Sequence, residues 1–322
     1  MIVTLTANPS LDRTVTLPGP LSRGQVQRAL TTTSDPGGKG VNVARVVTAA
    51  GALAVAVLPG RDDDPLLLAL RDVGIPHRPV PVPGHVRVNL TLTEPDGTTT
   101  KVNEPGPELG AEVRDALADV LVREAAGARW VALSGSLPPG VPVDWYAELT
   151  DRLRGTGAKV ALDTSGDALL AALAEGTVSL PDLVKPNGEE LAELTGQPGV
   201  DLERDPAAAV AAATGLLDRG IGAVLATLGA AGALLVTRDG SWSATPPKIR
   251  ARSSVGAGDS ALAGYLLADL AGGGPEDRLR SAVAHGAAAA SLPGSTLPAP
   301  ADVDLDGVSL VRLPDPAPYA PV

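Results

Sequence analysis

The sequence contains no cysteine and no phenylalanine. The first absence excludes disulfides, a thiolate metal site and a thiol nucleophile. The second, with aromatics at only 2%, leaves Val, Leu and Ala to fill the core, which suits buried parallel strands and closely packed helices. Histidine is scarce. His77, His85 and His285 are the only three, none lies in an HExxH-type spacing, and each is expected at the surface or in a loop rather than on a metal. Positive charge is outnumbered: the net charge of -11 argues against a general nucleic-acid or anionic-membrane surface, though not against a local basic pocket. No stretch reaches the ~18 apolar residues of a membrane span. Residues 1–6 run straight into strand-like sequence with no signal-peptide pattern, so a cytoplasmic location is expected.

What is present reads as α/β. The 322 residues, 44% hydrophobic, can bury one large domain. Residues 2–6 and 53–58 read as buried strands, and from residue 109 onward helices and strands alternate regularly: helices near 111–125, 144–154, 189–194 and 207–217, strands near 130–133, 159–163, 183–184 and 223–227. Such alternation predicts a mostly parallel sheet covered on both faces, with ligands at the carboxyl ends of its strands. Two regions break the pattern. Residues 13–17 and 25–33 look like exposed antiparallel strands, and residues 86–93 alternate strictly before a turn at Glu94-Pro95-Asp96-Gly97 and a return over 98–102. These predict a small separate sheet. Residues 314–322, with four prolines, read as a poorly ordered tail.

Six loops rich in Gly, Asn or Asp follow strands or open helices. In Val255-Gly256-Ala257-Gly258-Asp259-Ser260 two glycines precede an apolar helix. Free N–H groups at such a helix start favour an anion, and Asp259 beside them could deprotonate a hydroxyl that attacks phosphorus. The competing reading is a glycine turn capped by Asp259. Gly37-Gly38-Lys39-Gly40-Val41-Asn42 is not a Walker A loop, since Gly40 follows Lys39, but it offers N–H groups and a cation to a phosphate. Ser134-Gly135-Ser136-Leu137-Pro138 is not a nucleophile elbow. In Lys185-Pro186-Asn187-Gly188-Glu189-Glu190, Asn187 and Glu190 sit three apart and could share a metal–water shell or cap a helix. The remaining loops are Asn8-Pro9-Ser10-Leu11-Asp12 and Thr227-Leu228-Gly229-Ala230-Ala231-Gly232. Asp62, Asp63 and Asp64 read as a solvated helix start rather than a metal site.

Taken in order, these motifs resemble the phosphofructokinase-B family of the ribokinase-like superfamily, over residues 2 to about 296, and within it the 1-phosphofructokinases and tagatose-6-phosphate kinases. The resemblance implies a ribokinase-like fold: a central, mostly parallel sheet flanked by helices on both faces, plus a small β lid at about 12–33 and 86–103 that pairs in a homodimer. It implies an ATP- and Mg²⁺-dependent sugar-phosphate kinase, and leaves a monovalent cation such as K⁺ open. Asp259 matches the catalytic base, and Gly256, Ala257 and Gly258 match the anion hole. Lys185, Asn187, Thr227, Gly229 and Gly232 match nucleotide positions, and Glu190 matches a magnesium residue acting through water. Asp12, Gly38, Lys39, Asn42, Arg87, Asn89 and Ser136 match sugar-phosphate positions. Lys39 and Arg87 suit the phosphate already on the substrate, with Arg28 a weaker candidate. Fructose 1-phosphate leads as substrate, with tagatose 6-phosphate and fructose 6-phosphate as alternatives. The rival from another class is a non-catalytic sugar-phosphate sensor. Neither nucleic acid nor membrane is expected as a partner.

Overall fold

In the computed structural model, which describes residues 1–197 and 201–314, the elements follow the chain as β1 (Ile2–Thr6), β2 (Ser10–Thr16), β3 (Thr31–Gly37), α1 (Lys39–Ala49), β4 (Ala54–Pro59), α2 (Pro65–Asp72), β5 (His77–Val80), β6 (Arg87–Thr93), β7 (Thr99–Asn103), α3 (Ala111–Ala125), β8 (Trp130–Ser134), α4 (Trp145–Leu153), β9 (Lys159–Asp163), α5 (Gly166–Ala172), β10 (Leu183–Val184), α6 (Gly188–Leu194), α7 (Pro206–Asp218), β11 (Ala223–Thr227), β12 (Ala233–Thr237), β13 (Gly240–Thr245), α8 (Ala257–Leu270), α9 (Pro275–Ser291) and β14 (Ser309–Leu313). Ten strands form one sheet in the order β14-β13-β12-β11-β10-β9-β8-β1-β4-β5. Its seven strands from β11 to β5 are parallel, and β12, β13 and β14 close one edge antiparallel. The central strands β1, β4 and β8 are buried at every position, as strands covered on both faces must be. Residues of α1, α2, α8 and α9 form one core with one face, and those of α3 to α7 a second core with the other.

The second sheet has the order β3-β2-β6-β7 and stands apart from the first. The strand expected at 25–33 lies instead at Thr31–Gly37 and includes Pro36. Pro36 is tolerated because β3 is an edge strand, where a missing N–H costs no ladder bond. Two elements were not anticipated. Helix α5 is short, and β14 is largely exposed, so neither carries a strong periodic signal. Of the expected tail, residues 315–322 lie outside the described residues.

Two polar readings also change. His285 is not on the surface: it is 9% exposed, between α8 and α9. Its Nδ1 lies 2.8 Å from Ser281 O and faces Gly264, where an added Cβ would come within 2.7 Å of the ring nitrogen. Asp64 is fully buried rather than solvated. Its Oδ1 caps α2 through Leu66 N, and its Oδ2 accepts from Val86 N, both at 2.9 Å. One carboxylate thus joins α2 to the start of the small sheet.

Helix α8 is anchored at both ends. Near its C-terminus Asp269, 2% exposed, accepts from Trp130 Nε1 at 2.8 Å and Arg129 Nε at 2.9 Å, with Arg278 3.0 Å away. Burial opposes ionisation of Asp269, but these donors hold its carboxyl below the usual range. Asp269→Ala strands these partners and is expected to cost ~2 kcal/mol or more in urea unfolding. The same substitution should leave KM for any substrate unchanged, because Asp269 lies at the opposite end of α8 from Asp259.

Candidate active site

Strand order concentrates chemistry at one edge. The neighbouring strands β1, β8, β9, β10 and β11 all end there, with Thr6, Ser134, Asp163, Val184 and Thr227 as their last residues. Lys185 follows β10 directly, and its N–H bonds Leu162 O at 3.0 Å, so Lys185 and Asp163 leave adjacent strands side by side.

Helix α1 brings in Lys39. Its N-cap, Gly38, has φ +104°, and a Cβ there would meet Thr6 Cγ2 at 2.7 Å; one on Gly40 would meet Thr6 Oγ1 at 2.5 Å. Only glycine lets the helix start press onto the end of β1. Lys39 Nζ then bonds Asp163 Oδ1 at 2.8 Å, while Lys185 Nζ stands 3.3 Å from Asp163 Oδ2. Asp163 and Lys185 are almost fully buried, at 1% and 4% exposure. Burial alone would raise the Asp163 carboxyl, but Lys185 and Lys39 hold it below its ordinary value. Burial likewise works against the Lys39 ammonium, yet Asp163 keeps its pKa above that of a free lysine.

Asp259 lies in the first turn of α8, behind the N-cap Gly256 at φ +75°. It is 7% exposed, and its Oδ2 accepts from Asn42 Nδ2 at 2.8 Å. Burial, then the negative charge of Asp163, push its pKa up to about 6, against the pull of Lys39, Asn42 and Lys185. In the turn itself the Ala257 N–H makes only a 3.4 Å bond to Ser254 O. Gly258 faces Lys185, whose Nζ would lie 3.2 Å from a Cβ at that position.

The remaining expected residues distribute around this centre. Asp12 and Asn89 pair across β2 and β6. Asp12 Oδ1 accepts from Asn89 Nδ2 at 3.0 Å and from Ser10 Oγ at 2.7 Å. Arg87 donates to Asn8 O at 3.0 Å and Glu104 O at 3.2 Å, which fastens the small sheet to the loop after β1. Ser136 is exposed in the loop after β8, and its neighbour Gly135 lies against Lys39. Arg28 is exposed on the long β2–β3 connection. Asn187 and Glu190 form a reciprocal capping box on α6, with bonds of 2.8 and 2.9 Å. Lys39 also feels the charge of Glu190. Among the described residues no three His, Cys, Asp or Glu side chains form a metal cage. Thr227 N–H bonds Pro186 O at 2.9 Å, Gly229 takes φ +54° and Gly232 φ +104°, and the Ala244 carbonyl leaves no room for a side chain at Gly232.

Sequence reasoning missed Asp163. For Asp163 there was a signal: a carboxylate ending an apolar strand, at the sheet edge where ligands bind.

The pfkB family carbohydrate kinase model matches residues 6–302. The chain belongs to this family. As a pfkB-family carbohydrate kinase it is a phosphotransferase that uses ATP. It is 41% identical to a 1-phosphofructokinase of Xanthomonas campestris pv. campestris, covering 83% of this chain and 84% of that one. It is 36% identical to the ATP-dependent 6-phosphofructokinase isozyme 2 of Mycobacterium tuberculosis, over 91% and 85%. The potassium complex of Escherichia coli phosphofructokinase-2 superposes with a TM-score of 0.85 at 30% identity, over 94% and 96%. The ribokinase-like fold expected from the motifs is therefore the fold of this kinase. No described helix is long and apolar enough to cross a membrane.

The raised carboxyl of Asp259 has a consequence for stability. Its folded-state pKa of about 6 exceeds the ordinary 3.8, so between those values Asp259 holds more of its proton in the folded kinase than in the unfolded chain. The contribution of Asp259 to stability therefore falls as pH rises through that window, and the loss is complete above about 6. Asp259→Asn should match the wild type in Tm near pH 4 and exceed it above pH 6, read by thermal unfolding across that range.

Proposed function

We propose that this kinase transfers the γ-phosphoryl group of ATP to the 6-hydroxyl of fructose 1-phosphate, giving fructose 1,6-bisphosphate and ADP. The observation that carries this reading is the buried Asp259, bonded to Asn42, at the start of α8 with Lys39 and Lys185 close enough to act on its charge. Identity favours fructose 1-phosphate over fructose 6-phosphate: two 1-phosphofructokinases stand at 41% and 38% and one of Escherichia coli at 34%, against 36% for the 6-phosphofructokinase isozyme. Tagatose 6-phosphate stays a second alternative, since it too carries a phosphate at one end and a hydroxyl at the other.

In this reading Asp12, Asn89 and Asn42 hydrogen-bond sugar hydroxyls, with Gly38 and Ser136 lining the same side. Lys39 and Arg87 take the phosphate already on the sugar. Asp259 accepts the 6-hydroxyl proton as the oxygen attacks, which a loose phosphoryl-transfer transition state asks for only late. The N–H groups of Gly256, Ala257 and Gly258 receive the transferring phosphoryl group at the positive end of α8. Lys185 stands on the nucleotide side, where Asn187, Thr227, Gly229 and Gly232 border the ATP. A magnesium ion fits this donor set, because Mg²⁺ takes most of its ligands from phosphates and water and Glu190 commits only Oε2 to its cap. Glu190 would hold it through water, and the ion would neutralise phosphate charge. A potassium requirement is supported by the potassium complex of the E. coli relative.

The small sheet acts as a lid over the sugar and as the contact of a homodimer. Leu21, Val26 and Leu30 on the β2–β3 connection and Val102 on β7 are exposed, apolar side chains that a second copy would cover. Val26→Asp with Leu30→Asp is expected to convert the dimer to monomer in sedimentation. A wild type that sediments as a monomer at micromolar concentration would remove this proposal.

Coupled ADP release over fructose, fructose 1-phosphate, fructose 6-phosphate and tagatose 6-phosphate tests the function. The highest kcat/KM is expected with fructose 1-phosphate, falling as pH drops below about 6 with protonation of Asp259. Asp259→Asn should lower kcat by about 10²–10⁴-fold, and unchanged turnover would sink its assignment. Lys39→Ala should raise the sugar-phosphate KM about tenfold or more, far beyond its effect on ATP. A wild type that binds sugar phosphates but releases no ADP would favour a sensor.

A further inference from the structure

The cluster at the strand ends contains a group that the reading above leaves without a task. Asp163 ends β9 and is buried to 1% exposure. Its two oxygens face two lysines from different parts of the chain: Lys39, at the start of α1, and Lys185, after β10. The bonds are unequal, 2.8 Å to Lys39 and 3.3 Å to Lys185, and Oδ2 on the Lys185 side has no well-formed hydrogen bond. Nearby hydroxyls do not compensate. Tyr146 and Thr164 both donate to the Gly135 carbonyl instead, and the hydroxyls of Thr6 and Ser134 have no partner among the described residues. Asp163 thus lies directly between two ammonium groups that would otherwise repel each other in a low-dielectric site.

We infer that Asp163 is a positioning residue: it holds Lys39 and Lys185 as one shared pair, so that the sugar-side and nucleotide-side cations reach their phosphates together. This rests on the proposed function, which puts Lys39 on the sugar phosphate and Lys185 beside the nucleotide. Sharing is what makes the arrangement work. A carboxylate divided between two ammoniums binds each less firmly than it would bind one, so each lysine can turn to an incoming phosphate while the other keeps Asp163 paired. The open face of Gly258, 3.2 Å from Lys185 Nζ at the Cβ position, keeps that ammonium beside the helix start where the transferring group would arrive. A carboxylate left with a single lysine would hold it more tightly and release it less readily.

Two variants test this by steady-state kinetics, with ATP and the best sugar phosphate each varied. Asp163→Asn is expected to raise both KM values about fivefold or more, as loss of charge-assisted bonds to both lysines requires. A folded Asp163→Asn enzyme in which either KM stays at the wild-type value overturns the inference. Removing the buried counter-charge could prevent folding, so Lys185→Met, which leaves Asp163 paired with Lys39, gives an independent reading. It should raise the sugar-phosphate KM about threefold in addition to its effect on ATP, and an unchanged sugar-phosphate KM overturns the inference. A purely structural Asp163 would lower Tm without moving the two KM values together. A wild type inactive on the whole sugar panel overturns both the proposed function and this inference. An active wild type with an unresponsive Lys185→Met overturns only the latter.

Discussion

The structure depends on keeping four charged groups, three of them buried and Lys39 partly exposed, together at one end of a parallel sheet. Asp163, Asp259, Lys39 and Lys185 come from β9, α8, α1 and the residue after β10, and their charges sum to zero when all are ionised. Any one of them alone would be costly in that environment. Together they divide into two kinds of carboxylate. Asp163 is held ionised by the two lysines, whereas Asp259 is pushed up to about 6 by burial and by Asp163 itself. One acid is made permanently anionic and the other able to exchange a proton near neutrality, which is the division of labour a base beside fixed cations needs.

The glycines explain how four elements can approach so closely. At Gly38 and Gly40 the start of α1 meets Thr6, and at Gly264 helix α8 meets His285 and the Ser281 backbone. The second contact fixes α8 against α9 in its middle, while Asp269 fixes its far end to Arg129 and Trp130. The axis of α8 is thus set by packing along the whole helix, while Asp259 itself is placed by the first turn and by Asn42. Small residues in place of aromatics make this possible, because a core without phenylalanine lets helices sit closer to the sheet.

Much of this was legible in the sequence, and the reason is physical. The buried strands announce themselves as apolar runs, and the functional loops as Gly, Asn and Asp at fixed offsets from them. Thus α3, β9 and β11 begin and end as expected, and Asp259 with Asn42 and Lys39 converge from loops recognised separately. What was hidden depended on partners distant in sequence. Nothing local tells that Asp163 meets a lysine 124 residues earlier, that Asp64 would reach Val86, or that His285 would be enclosed by a glycine on α8. The edge strands β3 and β14 were shifted or missed because exposed strands carry no one-sided burial pattern.

Of the two readings left open for Asn187 and Glu190, the cap is the one the structure shows. The capping box uses Asn187 Oδ1 and Glu190 Oε2 and fixes the start of α6 just after Lys185. The cap orders the backbone there, and Lys39 feels the charge of Glu190. Two lysines and the starts of α1 and α8 are set against Asp163 and Asp259 at that end of the sheet, in an acidic protein. Asp163 is the counter-charge that lets Lys39 and Lys185 stand together before any phosphate is bound.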